Sequence, residues 1–256
     1  MNQTKLRTTV SYQLNTYKMT ILWMYLALFT ISLLLFALQA KKPYNTNNGL
    51  EFTSLITIFI IGLNSFKEDF KFFSANGISR KTLFCSTVFS LSVLSFVFAL
   101  INTISTIPFT RIGVLSPMVL LMYHQRYGYA SFADIRQAGW RLTPQFLLDD
   151  LLWIFFAGLF LAALGLVITT LYYRLSKPFK IAFSIGVPFL LFFGTPLLDE
   201  LFFKGILIKS IFHSIVMVLG LSGECNPYTA MLTFFLLSCA AFALSFLITR
   251  KVPIKK

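Results

Sequence analysis

The chain has 256 residues, 57% of them hydrophobic and only 12% charged, with thirty phenylalanines and a mean hydropathy of +0.76. Soluble domains carry about a quarter charged residues, so the composition excludes an ordinary water-soluble globule and points to a membrane protein. The net charge of +13 does not indicate nucleic acid, because the basic residues bracket apolar runs instead of forming an aromatic-interleaved patch.

Six runs approach the length and apolarity that a helix needs to cross the hydrocarbon core, over residues 19–39, 52–66, 85–107, 151–173, 181–198 and 230–249. Stretches such as LALFTISLLLFAL and FAGLFLAALGLVITTL are apolar on every face, whereas a transmembrane barrel strand alternates. The expected fold is all-α, a polytopic membrane protein with six transmembrane helices in a single domain over 1–256. The first run is too long for a cleavable signal and lacks a small-residue cleavage site, so it reads as retained.

Orientation follows from charge. With the N-terminus inside, fourteen of the 22 basic residues fall in inner segments against two acids, Glu68 and Asp69. The other eight fall in outer segments against seven acids, leaving +12 inside and +1 outside. That asymmetry favours an N-in, C-in topology, with the excess positive charge facing anionic lipid headgroups.

Taken in chain order, residues 1–18 place Leu6, Val10, Leu14 and Tyr17 at helical spacing. They predict an interfacial helix on the inner leaflet before the chain turns into the first span. An outer segment over 108–150 contains an apolar run too short to cross and broken by Pro117. Ser131 and Asp134 stand at capping-box-like spacing and predict a short helix. The fifth run carries Gly186, Pro188, Gly194 and Pro196, which predict a kink or an early end. Beyond it, residues 205–221 form an apolar stretch within the outer segment 199–229. A single crossing there would push the basic tail outside, so a re-entrant segment between spans five and six is expected. Cys85, Cys225 and Cys239 show neither disulfide nor metal spacing and read as apolar fillers.

The stretch FKEDFKFFSANGISRKTLF, residues 66–84, interrupts this pattern. Phe66, Phe70 and Phe73 fall at i, i+4 and i+7 on one face of a helix flanked by Lys67, Lys71 and Ser74. Gly77 suits a left-handed cap ending that helix, and Ser79 suits the N-cap of the next, which starts with Arg80 and Lys81. A lipid-facing connector would have the same periodicity. Glu68 and Asp69, however, gain nothing from an anionic leaflet, whereas a protein groove uses apolar anchors with a polar rim.

A short cytoplasmic helix after the second span followed by ANGISRKTLF resembles the cytoplasmic connection in permease subunits of bacterial ATP-binding-cassette exporters, those with six spans and separate ATPase subunits. The resemblance implies that 66–84 is the coupling helix and turn. In that role Phe66, Glu68, Asp69, Phe70, Phe73, Asn76, Gly77, Ser79 and Arg80 meet or support a cytoplasmic ATPase. It further implies a second permease chain, identical or related, and ATP and magnesium bound on the partner alone. The bilayer would be the bacterial plasma membrane. No phosphate-binding loop of the form G-x-x-x-x-G-K-[ST] occurs in the chain, so energy would come from the partner. No catalytic residue, metal ligand or nucleic-acid partner is expected.

A rival signal is TPLLDELFFKGIL, residues 195–207, which resembles the first motif of CAAX-type intramembrane proteases through Asp199, Glu200 and Lys204. Lys stands where that family has Arg, Asp where it has the first Glu, and the last span contains no histidine. A membrane boundary with a Glu200–Lys204 pair at i, i+4 is the plainer reading. An accessory or immunity protein is a third reading. Asn102, Glu200, Lys204, Lys209 and His213 are the candidate lining of a transport path or outer gate, because polar groups at membrane depth are functional candidates. Ser90, Ser92, Ser95 and Thr103 lie along the same third span and suit an amphipathic peptide or lipid-like cargo, or plain helix packing.

Overall fold

The structure, a computed structural model, describes residues 3–39, 49–111, 117–129, 143–222 and 225–250. Among them every regular element is helical: α1 (Gln3–Gln39), α2 (Gly49–Asn64), α3 (Lys67–Ala75), α4 (Arg80–Arg111) and α5 (Met118–Tyr123). These are followed by α6 (Pro144–Arg174), α7 (Lys177–Phe203), α8 (Ile206–Val218) and α9 (Pro227–Arg250). Five runs, Leu50–Ala75, Arg80–Pro108, Pro144–Arg174, Lys177–Phe203 and Pro227–Arg250, are long and apolar enough to cross a membrane. The run expected at 19–39 lies in α1, part of whose side chains are outside the described residues. The short helix expected around Ser131 and Asp134 also lies outside them.

No turn separates residues 3–18 from the first apolar run. α1 is one helix of 37 residues, with neither Gly nor Pro to break it, and Thr8, Thr9 and Thr16 satisfy their hydroxyls on carbonyls one turn back. On its inward stripe Val10, Gln13 and Tyr25 are buried. Its outward face changes character at one point, from Lys5, Arg7 and Lys18 to Leu22, Trp23 and Leu26. The helix thus passes straight through the polar-to-apolar boundary where a bend was expected.

The core is arranged around α6, which packs against α2, α4 and α9. Thr143 caps α6 by accepting from the Phe146 amide, and Pro144 occupies the first turn, where its missing N–H costs nothing. Small residues let α2 and α6 cross backbone to backbone. A Cβ on Gly165 would sit 2.5 Å from the Phe59 carbonyl oxygen, and one on Gly62 would collide with the Ala162 carbonyl. Lipid offers no hydrophobic drive between helices, so close van der Waals contact of this kind holds them together. Further along, Tyr25, Ser54 and Asn102 tie α1, α2 and α4 together: the Ser54 hydroxyl donates to Asn102 Oδ1 at 3.1 Å, and the Asn102 amide donates to the Tyr25 hydroxyl at 3.3 Å.

α7 stands apart from this bundle. None of its most apolar window is buried, and its described contact with α6 is Tyr172, whose hydroxyl pairs with that of Ser184 while its ring meets Phe183 edge-on at 5.7 Å. The Gly and Pro residues do not stop the helix. Their effect is two π-helical turns, Leu190–Gly194 and Asp199–Phe203, which absorb the bonds freed by Pro188 and Pro196.

Candidate functional site

The stretch 66–84 folds as its period requires. Phe66, Phe70 and Phe73 are all buried, Gly77 takes φ +68°, and Ser79 Oγ accepts from the Thr82 amide at the start of α4. The three rings face this chain's own core. Phe66 and Phe70 stack at 4.9 Å, and both meet the ring of Tyr173, near the end of α6, edge-on at 5.7 and 5.6 Å. Burying Phe70 completely makes its truncation worth about 3–5 kcal/mol. These phenylalanines therefore pack α3 onto the bundle, and the surface left for a partner is Lys67, Glu68, Lys71 and Phe72.

Three further connections fix α3. Tyr12 of α1 stacks on Phe72 at 5.3 Å and meets Phe73 edge-on at 5.4 Å. The Gln13 amide of α1 donates to Asp69 at 2.7 Å and to Thr87 of α4 at 3.1 Å, while its carbonyl oxygen accepts from Ser90 at 2.9 Å. Burial, followed by the nearby charges of Asp69 and Glu68, raises the Tyr17 phenol above the ordinary tyrosine value. Arg80, just past the turn, donates to the Arg250 carbonyl at 3.1 Å and lies over the Phe70 ring at 6.0 Å, linking the turn to the end of α9. Asn76 closes the end of α3 by donating to the Phe72 carbonyl at 2.8 Å. The nine residues expected at a coupling element are thus gathered in one place, with Glu68 exposed and Asp69 half-buried.

The expected path or gate residues are not gathered. Asn102 is buried between α1 and α2 as a structural polar link, whereas Glu200, Lys204, Lys209 and His213 are exposed along and between α7 and α8. The Glu200–Lys204 helical pair does not form. Lys204 (φ +50°) and Gly205 (φ +83°) are left-handed, so the helix ends before that register is complete. Asp199 instead turns inward, and its two carboxylate oxygens accept from the amides of Leu207 and Ile208 at 2.8 and 3.0 Å. It caps α8.

A second polar site, which sequence reasoning passed over, lies where α2, α4 and α6 meet on the side expected to face outward. Glu51 accepts from the Met118 amide at 2.7 Å, Asp150 accepts from the Thr103 hydroxyl at 3.0 Å, and the two buried acids lie within electrostatic range of each other. Next to them Asp149 accepts from the hydroxyls of Tyr127 and Tyr228 at 2.9 and 2.8 Å. The signal was available: an Asp-Asp pair leading an otherwise apolar run. Among the described residues no three His, Cys, Asp or Glu side chains group as a metal site, and all three cysteines are free.

Compared with known proteins, the chain matches no family, no curated protein and no solved structure.

Proposed function

We propose that the chain is the membrane-spanning permease half of an ATP-driven exporter, with α3 and the Asn76–Ser79 turn as the element on which a separate cytoplasmic ATPase docks. What carries the reading is the anchoring of α3. A nine-residue helix is bound to α1 through Gln13 and Tyr12, to α6 through Tyr173, and beside its turn to α9 through Arg80. A push on its exposed Lys67, Glu68 and Lys71 therefore reaches α1, α6 and α9, and α4, which α3 also contacts, because packed interfaces shift as units. A connector serving only lipid needs no such bracing. In this reading the chain crosses a bacterial plasma membrane six times with both termini inside, α8 is re-entrant, and a second permease chain completes the path. ATP-driven closure of the ATPase pair shifts the population between inward-open and outward-open forms. The exposed apolar side of α7 meets lipid or that second chain. Nucleotide and magnesium are held by the partner.

The test is affinity purification of the full chain from its native cells into nanodiscs, comparing native protein with a Lys67→Glu, Lys71→Glu variant. These side chains are exposed, so the fold is retained. Co-purification of a nucleotide-hydrolysing subunit with the native chain, and its loss from the variant at unchanged melting temperature, is the expected result. Absence of any ATPase from both preparations overturns the reading.

A further inference from the structure

We infer that the cleft between the start of α4 and the end of α9 is a binding site for an anionic phospholipid, holding its phosphate among Arg80, Lys81 and Arg250 and its acyl chain against Phe246. The cleft encloses about 310 Å³ and is lined by these four side chains with Ser79 and Thr249. Arg80, Lys81 and Arg250, from two helices, line it, and among the described residues none of them has a carboxylate partner. Like charges gathered without a counter-charge repel, so an anion is what this arrangement lacks.

The polar groups that might otherwise serve the cleft are already engaged. The Ser79 hydroxyl caps α4 through the Thr82 amide, and the Thr249 hydroxyl donates to the Ser245 carbonyl. Arg80 uses part of its fork on the Arg250 carbonyl, which leaves further N–H donors in a plane suited to phosphate oxygens. The cleft opens at the first turn of a 32-residue helix, whose free amides and dipole also favour negative charge.

The rest of the lining decides between a free ion and an amphiphile. One wall is apolar: Phe246 of the lining packs on Phe84 of α4 at 5.1 Å, which continues an apolar surface beyond the cleft. A hydrated inorganic ion gains nothing from that wall, whereas an acyl chain does. The height is also that of a headgroup, since Arg80 begins one membrane-length run and Arg250 ends another, on the side that the charge count places inside. A lipid seated here would brace α4 to α9 directly beside α3. The inference does not depend on the exporter reading.

Purified full-length protein in neutral detergent is titrated with dioctanoyl phosphatidylglycerol, dioctanoyl phosphatidylcholine and inorganic phosphate, following bound lipid by native mass spectrometry and melting temperature by intrinsic fluorescence. The native chain is expected to bind phosphatidylglycerol at least tenfold more tightly than phosphatidylcholine. A Lys81→Gln, Arg250→Gln variant, which changes exposed side chains and leaves the Arg250 carbonyl in place, should lose that preference at unchanged lipid-free melting temperature. Arg250→Lys should keep it. A Lys5→Gln, Arg7→Gln variant removes equal charge from the exposed face of α1 and should bind as the native chain does. Equal affinity for the two lipids, stabilisation by inorganic phosphate alone, or equal loss in the Lys5/Arg7 variant would each overturn the assignment.

Discussion

Gln13 and Asp69 are joined across 56 positions of sequence by a 2.7 Å hydrogen bond, and the same Gln13 side chain reaches Thr87 and Ser90. One neutral amide thereby fixes the polar end of α1 against both α3 and α4, with each of its functional atoms used. Gln13→Leu keeps the volume and strips every bond, leaving Asp69 and two α4 hydroxyls short of partners. The expected cost is about 1–3 kcal/mol. Deuterium exchange should show α3 amides losing protection while those of α6 do not change; uniform loss across the chain would mean that Gln13 serves the whole fold and not this joint.

The glycines of the α2–α6 crossing make opposite predictions at neighbouring positions. Gly165 has Phe59 O and Leu63 N at 2.5 and 2.8 Å from where a Cβ would go, so Gly165→Ala must push two backbones apart, at about 1–3 kcal/mol. Gly158 meets nothing nearer than 3.8 Å, from Ile58 and Ser95 side chains. Gly158→Ala should therefore be neutral or stabilise by about 0.5–1 kcal/mol through helix propensity. Size-exclusion traces after stepwise heating distinguish the two. Equal destabilisation by both would remove the close crossing as the organising contact.

What could be read from sequence, and what could not, divides by range. The period of Phe66, Phe70 and Phe73, the left-handed Gly77 and the Ser79 cap are local chemistry and appear as expected. The direction in which the phenylalanines face is not local. An amphipathic helix states that one side is covered but not by what, and here the cover is Tyr173, a hundred residues on. The turn expected after Lys18 was inferred from the amphipathic spacing of Leu6, Val10, Leu14 and Tyr17, which a helix that packs on the bundle and continues across the boundary produces equally well. At Lys204 the error was to extend helical spacing through a residue directly before a glycine, where a left-handed helix end was already signalled. Asn102 looked like path lining because it is polar in an apolar run, yet its amide is spent on Tyr25 and Ser54 of neighbouring helices. Only pairing partners separate those two roles, and they come from elsewhere in the chain.

The Tyr127 hydroxyl donates to Asp149 at 2.9 Å, and burial, together with that carboxylate, raises its ionisation above the ordinary tyrosine value of 10.0. Below that value the phenol is protonated in both folded and unfolded chains, so its stabilising contribution is complete. As pH rises past it, the unfolded chain ionises while the folded one holds the proton, and stability falls. Melting temperatures between about pH 9 and pH 11 should drop more steeply for the native protein than for Tyr127→Phe, which has no proton to lose. Parallel slopes would mean that Tyr127 ionises in the folded protein as it does in water, and that its bond to Asp149 does not persist.

Asp199 is the residue whose role the fold changes most, from candidate acid to helix cap, and the two roles predict different losses. Its carboxylate accepts from the Leu207 and Ile208 amides, two of the donors that the first turn of α8 leaves open. Asp199→Ala should cost about 1 kcal/mol and Asp199→Asn less, since an amide oxygen still accepts one of the two bonds. Exposed Glu200 makes no such contact, and Glu200→Ala should leave the fold unchanged. Exchange at the Leu207 and Ile208 amides reads the effect where it arises: faster in Asp199→Ala, intermediate in Asp199→Asn, native in Glu200→Ala. α8 is held to α9 near its other end, where the Thr233 hydroxyl donates to the Val218 carbonyl, so losing this cap should loosen the first turn of α8 from α7. If protection at 207 and 208 survives in Asp199→Ala, the left-handed Lys204–Gly205 turn alone holds the first turn of α8 in place, and Asp199 is released for another role.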